Sequence, residues 1–362
     1  MSEKSPLAAV RKRIDVIDEQ LEKLITERAQ CALDVAKIKR QAGENNFYRP
    51  EREAQILQNV KSRNSGVLPD DEMARLFREI MSACLALEQP LKISYLGPEG
   101  TYTQAAAFKH FGHSVTTEPV SAIDEVFREV ESGAADFGIV PVENSTEGMV
   151  NQSMDMFVHS PLIICGEVQL RIHHHFLSRL ADMKSIQRIY SHQQSFAQCR
   201  EWLNNNMLGV ERVSVNSNAE AARFAAQENY AAAIAGETAG EIYHLQSLAE
   251  NIEDDPQNTT RFLVLGRDMI AASGKDKTSL LLSSQNRPGA LYSLLEPFRR
   301  FGVSMTRVES RPSRQGMWEY VFFVDIDGHV SDKNVQQALS EVKKCAAMFK
   351  ILGSYPRAVI SG

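Results

Sequence analysis

The chain has 362 residues, enough for two or three domains with separate cores. Its 43% hydrophobic and 24% charged residues are those of an ordinary globular protein. A net charge of −6 argues against nucleic acid as the main partner, so any anion-binding groups must be locally concentrated. No apolar run nears the roughly 18 residues of a membrane helix, and the N-terminus lacks a signal-peptide core. Cys31, Cys84, Cys165, Cys199 and Cys345 are scattered and form no Cys-x-x-Cys. They read as reduced thiols in a cytoplasmic protein that neither spans nor binds a membrane.

Residues 1–90 read as helical. Leu7, Val10, Ile14, Ile17, Leu21, Leu24, Cys31, Val35 and Ile38 follow a 3-4 apolar repeat, and Arg28 occupies one seam position. A guanidinium there is costly to desolvate unless an anion meets it. Ser5-Pro6 opens this helix and Gly43 stops it, giving a length of roughly 54 Å at 1.5 Å per residue. Pro50 starts a second helix to about Ser62. Pro69-Asp70-Asp71 starts a third, with Met73, Phe77, Ile80, Cys84 and Leu87 on its expected inner face. Three helices without a closed core imply an intertwined homodimer.

After Gln89-Pro90 the pattern alternates. Ile93–Leu96, Val115–Thr117 and Phe137–Val142 read as strands, with helices over Thr103–His110 and Ser121–Glu131. The same order returns in strands Ile189–Tyr190, Val213–Val215 and Ala231–Ala235, with helices over Phe196–Asn204 and Ala219–Gln227. This degenerate duplication predicts two α/β lobes with a cleft between them. Polar clusters follow corresponding strands: Gly97–Thr103 and Glu143–Thr146 in one repeat, Ser191–Ser195 and Asn216–Asn218 in the other. Ligands of such folds sit beyond the carboxyl ends of strands.

Residues 270–277 read as a linker. The remainder runs strand (Ser279–Ser283), helix (Gly289–Phe301), strand (Met305–Ser310), strand (Tyr320–Asp325), helix (Lys333–Cys345), strand (Lys350–Ser354). That order is ferredoxin-like, α+β.

Four motifs in this order carry a resemblance across nearly the whole chain. They are Gly97-Pro98-Glu99-Gly100-Thr101-Tyr102, Pro141-Val142-Glu143-Asn144-Ser145, Thr259-Thr260-Arg261-Phe262 and Glu309-Ser310-Arg311-Pro312. The chain resembles the bifunctional chorismate mutase–prephenate dehydratases of phenylalanine biosynthesis, with a C-terminal ACT regulatory domain. The resemblance implies an all-α, three-helix mutase domain over residues 1–90. A two-lobed α/β dehydratase domain, like a periplasmic-binding protein of type 2, would take 92–269, and the ACT domain 277–357. It implies no metal or other cofactor.

Chorismate rearranges within one molecule, so the mutase must hold a compact dicarboxylate and stabilise charge on its ether oxygen. By resemblance, Arg28 and the partner subunit's Arg11 bind the carboxylates and Lys39 meets the ether oxygen. Arg49, Arg52, Glu53, Cys84 and Glu88 fall at the remaining pocket positions. Cys84 stands where serine is common, and Glu88 where glutamine is common. A glutamate must be protonated to donate to the ether oxygen.

For the dehydratase, the resemblance points to Thr260 as the residue assisting departure of the ring hydroxyl. Asn144 and Gln198 are the other polar catalytic positions, and Thr101, Thr103, Ser145, Ser195 and Ser217 are binding candidates. Arg261 follows Thr260 on a strand and so faces the other way, either binding carboxylate indirectly or anchoring the strand. In the ACT domain, Asn286, Pro288, Gly289, Ala290 and Leu291 enter the first helix, and Glu309, Ser310, Arg311 and Pro312 follow on a strand. Phenylalanine is the implied inhibitor. Arogenate in place of prephenate, and a non-catalytic amino-acid sensor, are the rival readings. His173-His174-His175 is not read as a metal site, because adjacent strand residues face opposite sides.

Overall fold

The computed structural model describes residues 6–43, 48–284, 287–312 and 320–360. Ser5 and Asn286 lie outside the described residues. Among those described, no helix is long and apolar enough to cross a membrane.

Helix α1 (Pro6–Gln41) runs 36 residues, the length its repeat predicts. Helix α2 (Pro50–Arg63) begins on a proline, whose fixed φ suits a first turn. Helix α3 (Asp70–Glu88) opens with Asp70, Asp71 and Glu72, acids that favour the positive end of the helix dipole. α3 packs on both other helices. α1 buries only Ala36 among the described residues. Its seam residues Leu7, Val10, Ile14, Ile17, Leu21, Leu24, Val35 and Ile38 stand 44–65% exposed. The buried face of α3 includes Cys84 as expected but shifts otherwise: Ala74, Met81 and Ser82 are covered, whereas Leu87 is 54% exposed. The cause is a second packing surface. Ser82 Oγ accepts from the Ser114 N–H, and Glu79 accepts from the His113 N–H, so α3 also leans on the next domain.

The first lobe begins β1 (Lys92–Leu96), α4 (Tyr102–Phe111), β2 (Thr116–Val120), α5 (Ile123–Ser132) and β3 (Phe137–Asn144). It continues with β4 (Gly148–Met149), α6 (Asn151–His159) and β5 (Ile163–Arg171). The second lobe holds β6 (His175–Ser178), β7 (Arg188–His192), α7 (Gln193–Gln198) and α8 (Arg200–Asn206). It is completed by β8 (Glu211–Val215), α9 (Asn218–Gln227), β9 (Ala231–Ala235), α10 (Glu237–Ile242) and β10 (Gln246–Ala249). The chain then returns to the first lobe as β11 (Thr259–Gly266).

The first sheet has the order β2-β1-β3-β11-β5, and the second β10-β6-β9-β7-β8. In each, a first strand lies between the second and third and pairs parallel with both. An antiparallel strand flanks each third strand, β11 beside β3 and β6 beside β9. The duplication read from sequence is therefore visible in topology. Two details depart from expectation. The helix expected over Phe196–Asn204 is broken at Cys199 into α7 and α8. The strand read through the histidines is interrupted at residues 172–174, where the chain crosses between sheets.

The C-terminal unit comprises β12 (Asp276–Ser283), α11 (Ala290–Arg300), β13 (Met305–Pro312), β14 (Tyr320–Asp327), α12 (Lys333–Cys345) and β15 (Met348–Pro356). Its order β13-β14-β12-β15 is the ferredoxin-like one. α11 and α12 cover one face through Leu294, Phe298, Val335 and Leu339. The other face is not free. Leu281, Val321, Phe323 and Leu352 join Phe127, Phe157 and Ile164 of the first lobe in one core. Gly353 permits the closest approach, since a Cβ there would lie 2.1 Å from the Ile164 carbonyl oxygen.

Candidate functional sites

The first polar cluster lies where the C-terminal end of α1 meets that of α3. Arg40 donates to the Glu88 carbonyl oxygen at 2.6 Å. Partial burial raises the Glu88 carboxyl above its usual range, opposed by the nearby charges of Lys39, Arg28 and Arg40. Cys84 lies one turn before Glu88 on the same helix face and is 4% exposed. The fold thus gathers Arg28, Lys39, Cys84 and Glu88. Arg11 is seventeen residues before Arg28, about 25 Å along a straight helix, and is exposed. It cannot reach this cluster within one chain. Arg49 and Arg52 are exposed around the start of α2. Glu53 turns elsewhere, 3.3 Å from Arg78 Nε, and lines a small cavity with Tyr48, His110 and Glu167.

The second cluster is at the lobe junction. Thr146 and Glu147 N–H groups donate to Asn144 Oδ1, each at 3.0 Å. The Asn144 amide is thereby oriented, and its Nδ2 donates to Thr260 Oγ1 and to Asn258 Oδ1, both at 2.8 Å. Thr260 Oγ1 is an acceptor in that bond, so its own proton is available to another group. Asn258 Nδ2 is buried without a partner among the described residues. Ser145 ties the same corner, accepting from Thr259 N–H at 3.0 Å.

Across the junction, Gln198 closes α7 and its Oε1 lies 2.9 Å from His174 Nε2. Ser195 is buried and accepts from Asn218 Nδ2 at 2.8 Å. Asn218 also accepts from the His192 N–H, stapling β7 to α9. Ser217 is occupied as the N-cap of α9, accepting from Glu220 N–H. Thr101 stands at the N-cap position of α4 and its hydroxyl donates to the Leu96 carbonyl, while Thr103, the second residue of the helix, is buried. A cavity of about 550 Å³ separates the lobes here, lined by Gly100, Thr101, Tyr102, Arg171, His173 and Gly236 among others. Its walls do not include Thr260 or Asn144. Burial opposes ionisation of Glu253, but bonds from His174 N–H and His173 outweigh it and hold the carboxyl below its usual range.

Arg261 points away from Thr260 into an ionic cluster with Glu167 and Asp325. On the C-terminal sheet, Gly289 caps α11 with φ of 77°, a left-handed conformation suited to glycine. Pro288 precedes that cap, and Ala290 and Leu291 form the first turn. Glu309–Pro312 lie on the edge strand β13.

Three family descriptions match successive stretches: Chorismate mutase type II over residues 10–89, Prephenate dehydratase over 93–270, and ACT domain over 278–344. The bifunctional chorismate mutase/prephenate dehydratase of Stutzerimonas stutzeri is 55% identical, covering 99% of this chain and all of that one. That of Pseudomonas aeruginosa is 54% identical over the same shares. This chain belongs to the bifunctional chorismate mutase/prephenate dehydratase family. A solved prephenate dehydratase from Arthrobacter aurescens, in complex with L-Phe, is 32% identical with a TM-score of 0.69. The superposition covers 75% of this chain and 91% of that one.

For a family member, the structure adds residues that motif reading passed over. Asn258 lies two positions before Thr260 and accepts the Asn144 amide. Tyr102 is inside a quoted motif, yet its bond to the lobe link is a tertiary fact. Asn218 closes its polar cluster through bonds to Ser195 and the His192 N–H. Short-range spacing marks such residues as polar loop ends and is silent on which atoms they meet.

Proposed function

We propose that the two family activities are divided between residues 1–90 and 92–269, with regulation in 277–357. The chain is an isomerase and a lyase: chorismate is rearranged to prephenate, and prephenate is decarboxylated and dehydrated to phenylpyruvate. In the first step Arg28 and the partner subunit's Arg11 bind the carboxylates, bidentately where geometry allows. Lys39 and protonated Glu88 stabilise the ether oxygen, with Arg49, Arg52 and Cys84 around them, whereas Glu53 is paired with Arg78. The exposed seam of α1 supports a homodimer, because that stripe needs an apolar cover about as long as the helix.

In the second step, loss of carbon dioxide sends the C–C bonding electrons into the ring and expels the ring hydroxyl as water. Thr260 donates to that departing oxygen. The single observation carrying this reading is the Asn144 Nδ2–Thr260 Oγ1 bond, in which Thr260 is the acceptor and keeps its own proton for another group. Gln198, with Thr101, Thr103, Ser145, Ser195 and Ser217, orients the dianionic substrate. Phenylalanine binds between the Gly289 turn and the Glu309–Pro312 strand and lowers dehydratase activity. The test is direct. Purified protein should consume the ultraviolet absorbance of chorismate, and phenylpyruvate should be detected on adding base. Competing prephenate against arogenate, with and without phenylalanine, tests substrate choice and inhibition together.

A further inference from the structure

The link between the lobes carries a polar relay from Tyr102 through His174 to Gln198. Tyr102 Oη lies 2.8 Å from the His173 carbonyl oxygen and 2.8 Å from His174 Nδ1. On the far side of the ring, His174 Nε2 lies 2.9 Å from Gln198 Oε1. His174 is 1% exposed. Gln198 Nε2 is buried with no partner among the described residues. The relay therefore ends on an unsatisfied donor.

Burial pushes His174 below its ordinary range, opposed by its bond to Gln198, so the ring is neutral near pH 7 and carries one N–H. Two arrangements follow. With the proton on Nε2, the ring donates to Gln198 Oε1, Tyr102 donates to Nδ1, and the glutamine NH2 is left for another acceptor. With the proton on Nδ1, the ring donates to Tyr102, and Tyr102 donates to the His173 carbonyl. Nε2 then needs a donor, so the Gln198 amide turns over and its carbonyl oxygen becomes the unpartnered end. A dicarboxylate accepts hydrogen bonds and is repelled by a carbonyl. Only the first arrangement serves it.

We propose that His174 is a positioning residue of the dehydratase: its Nε2–H form, held by Tyr102, pins Gln198 with the NH2 turned to the substrate. The inference rests on the reading above that Gln198 belongs to the site. Gly236 is part of the arrangement, since a Cβ there would lie 2.8 Å from the Tyr102 ring and displace the hydroxyl that holds the histidine.

The test uses the full-length protein carrying His174→Phe, His174→Gln, Gln198→Leu and the double variant His174→Phe/Gln198→Leu. Losing one hydrogen bond to a charged group lowers kcat/KM for prephenate by about 10- to 100-fold. His174→Phe should show that loss, and Gln198→Leu a similar one. The double variant should be no worse than Gln198→Leu alone. His174→Gln places an NH2 near the Nε2 position and should recover most of the activity. Tyr102→Phe, which keeps the ring but removes the hydroxyl, should lower kcat/KM in the same direction. Chorismate turnover by the same preparations reports on folding. Multiplying losses in the double variant, or no rescue by His174→Gln, would overturn the relay. An unimpaired Gln198→Leu would instead remove Gln198 from the site, a separate failure that takes the relay with it.

Discussion

Arg261 Nη1 lies 2.7 Å from Asp325 Oδ2, joining strand β11 of the dehydratase sheet to β14 of the C-terminal sheet. Arg261 Nη2 also lies 3.0 Å from Glu167 Oε2 and donates to Tyr355 Oη. Lys277 Nζ meets Glu167 at 2.8 Å, and Ser279 donates to Asp325 at 2.6 Å. Burial opposes the charge on Arg261, but Tyr355, Asp325 and Glu167 outweigh it and hold the guanidinium above its ordinary range. Two acids thus share two cations at the seam between domains, directly behind Thr260.

Breaking such a buried cluster from one side strands the partner charges, at roughly 3–5 kcal/mol. Arg261→Met should therefore destabilise the protein by about that amount in urea unfolding. Dehydratase activity should fall with it, because the strand holding Thr260 loses its anchor. A stability unchanged within experimental error would show that the cluster has no energetic role.

Thr260→Ala should abolish prephenate turnover and spare chorismate turnover. Thr260→Ser, which keeps a hydroxyl beside Asn144 Nδ2, should retain a substantial part. Parallel loss of both activities in the alanine variant would indicate misfolding, and the serine variant then decides whether the hydroxyl matters.

These expectations mix what was legible in the chain with what was not. The α1 repeat gave its length and its uncovered seam, because a 3-4 pattern is local. The duplicated strand order was legible for the same reason. What failed to show was every feature set by a neighbour far in sequence. α3 reads as having one buried face, but Ser82 and Glu79 turn toward residues 113–114. Alternation leaves Arg261 facing away from Thr260 without saying what waits there, and the answer lies 64 residues on, at Asp325. The histidine run reads as strand because its apolar flanks do, whereas the crossing between sheets needs Glu253 to hold it.

With the role proposed for Glu88, its raised carboxyl predicts a pH dependence of chorismate turnover. The donor is the protonated form, and its population grows as pH falls through the folded-state pKa. Chorismate turnover should therefore rise toward acid, until substrate protonation intervenes. Glu88→Gln donates at every pH and should flatten the profile. Identical pH–rate curves for the two proteins would take Glu88 out of the mechanism.

Arg28 presents the opposite balance of stability and function. It interrupts an apolar seam, so Arg28→Leu should leave helical content and self-association intact or strengthened. The same change should remove chorismate turnover, since a carboxylate loses its guanidinium. Sedimentation and activity measured on one preparation separate the two effects. Retained turnover would make the arginine purely structural.

The C-terminal sheet reaches the Asn144–Thr260 corner by a second route. Arg307 on β13 lies 3.1 Å from Glu143 Oε2 and also contacts Met149, and Glu143 immediately precedes Asn144. Four residues along the same edge strand, Arg311 pairs with Asp155 of α6 at 3.0 Å. A ligand that shifts β13 therefore pulls on the residue next to the one orienting Thr260. Coupling of this kind is typically worth about 1–3 kcal/mol, or 5- to 150-fold in affinity. Arg307→Gln keeps a polar side chain but drops the ion pair. It should move the phenylalanine inhibition curve of the dehydratase to higher concentration while most of the uninhibited rate remains. By reciprocity, prephenate should weaken phenylalanine binding less in the variant than in the parent. Calorimetric titration of phenylalanine with and without a slow substrate analogue reads that difference, and equal shifts in both proteins would rule out this ion pair as a carrier of the signal.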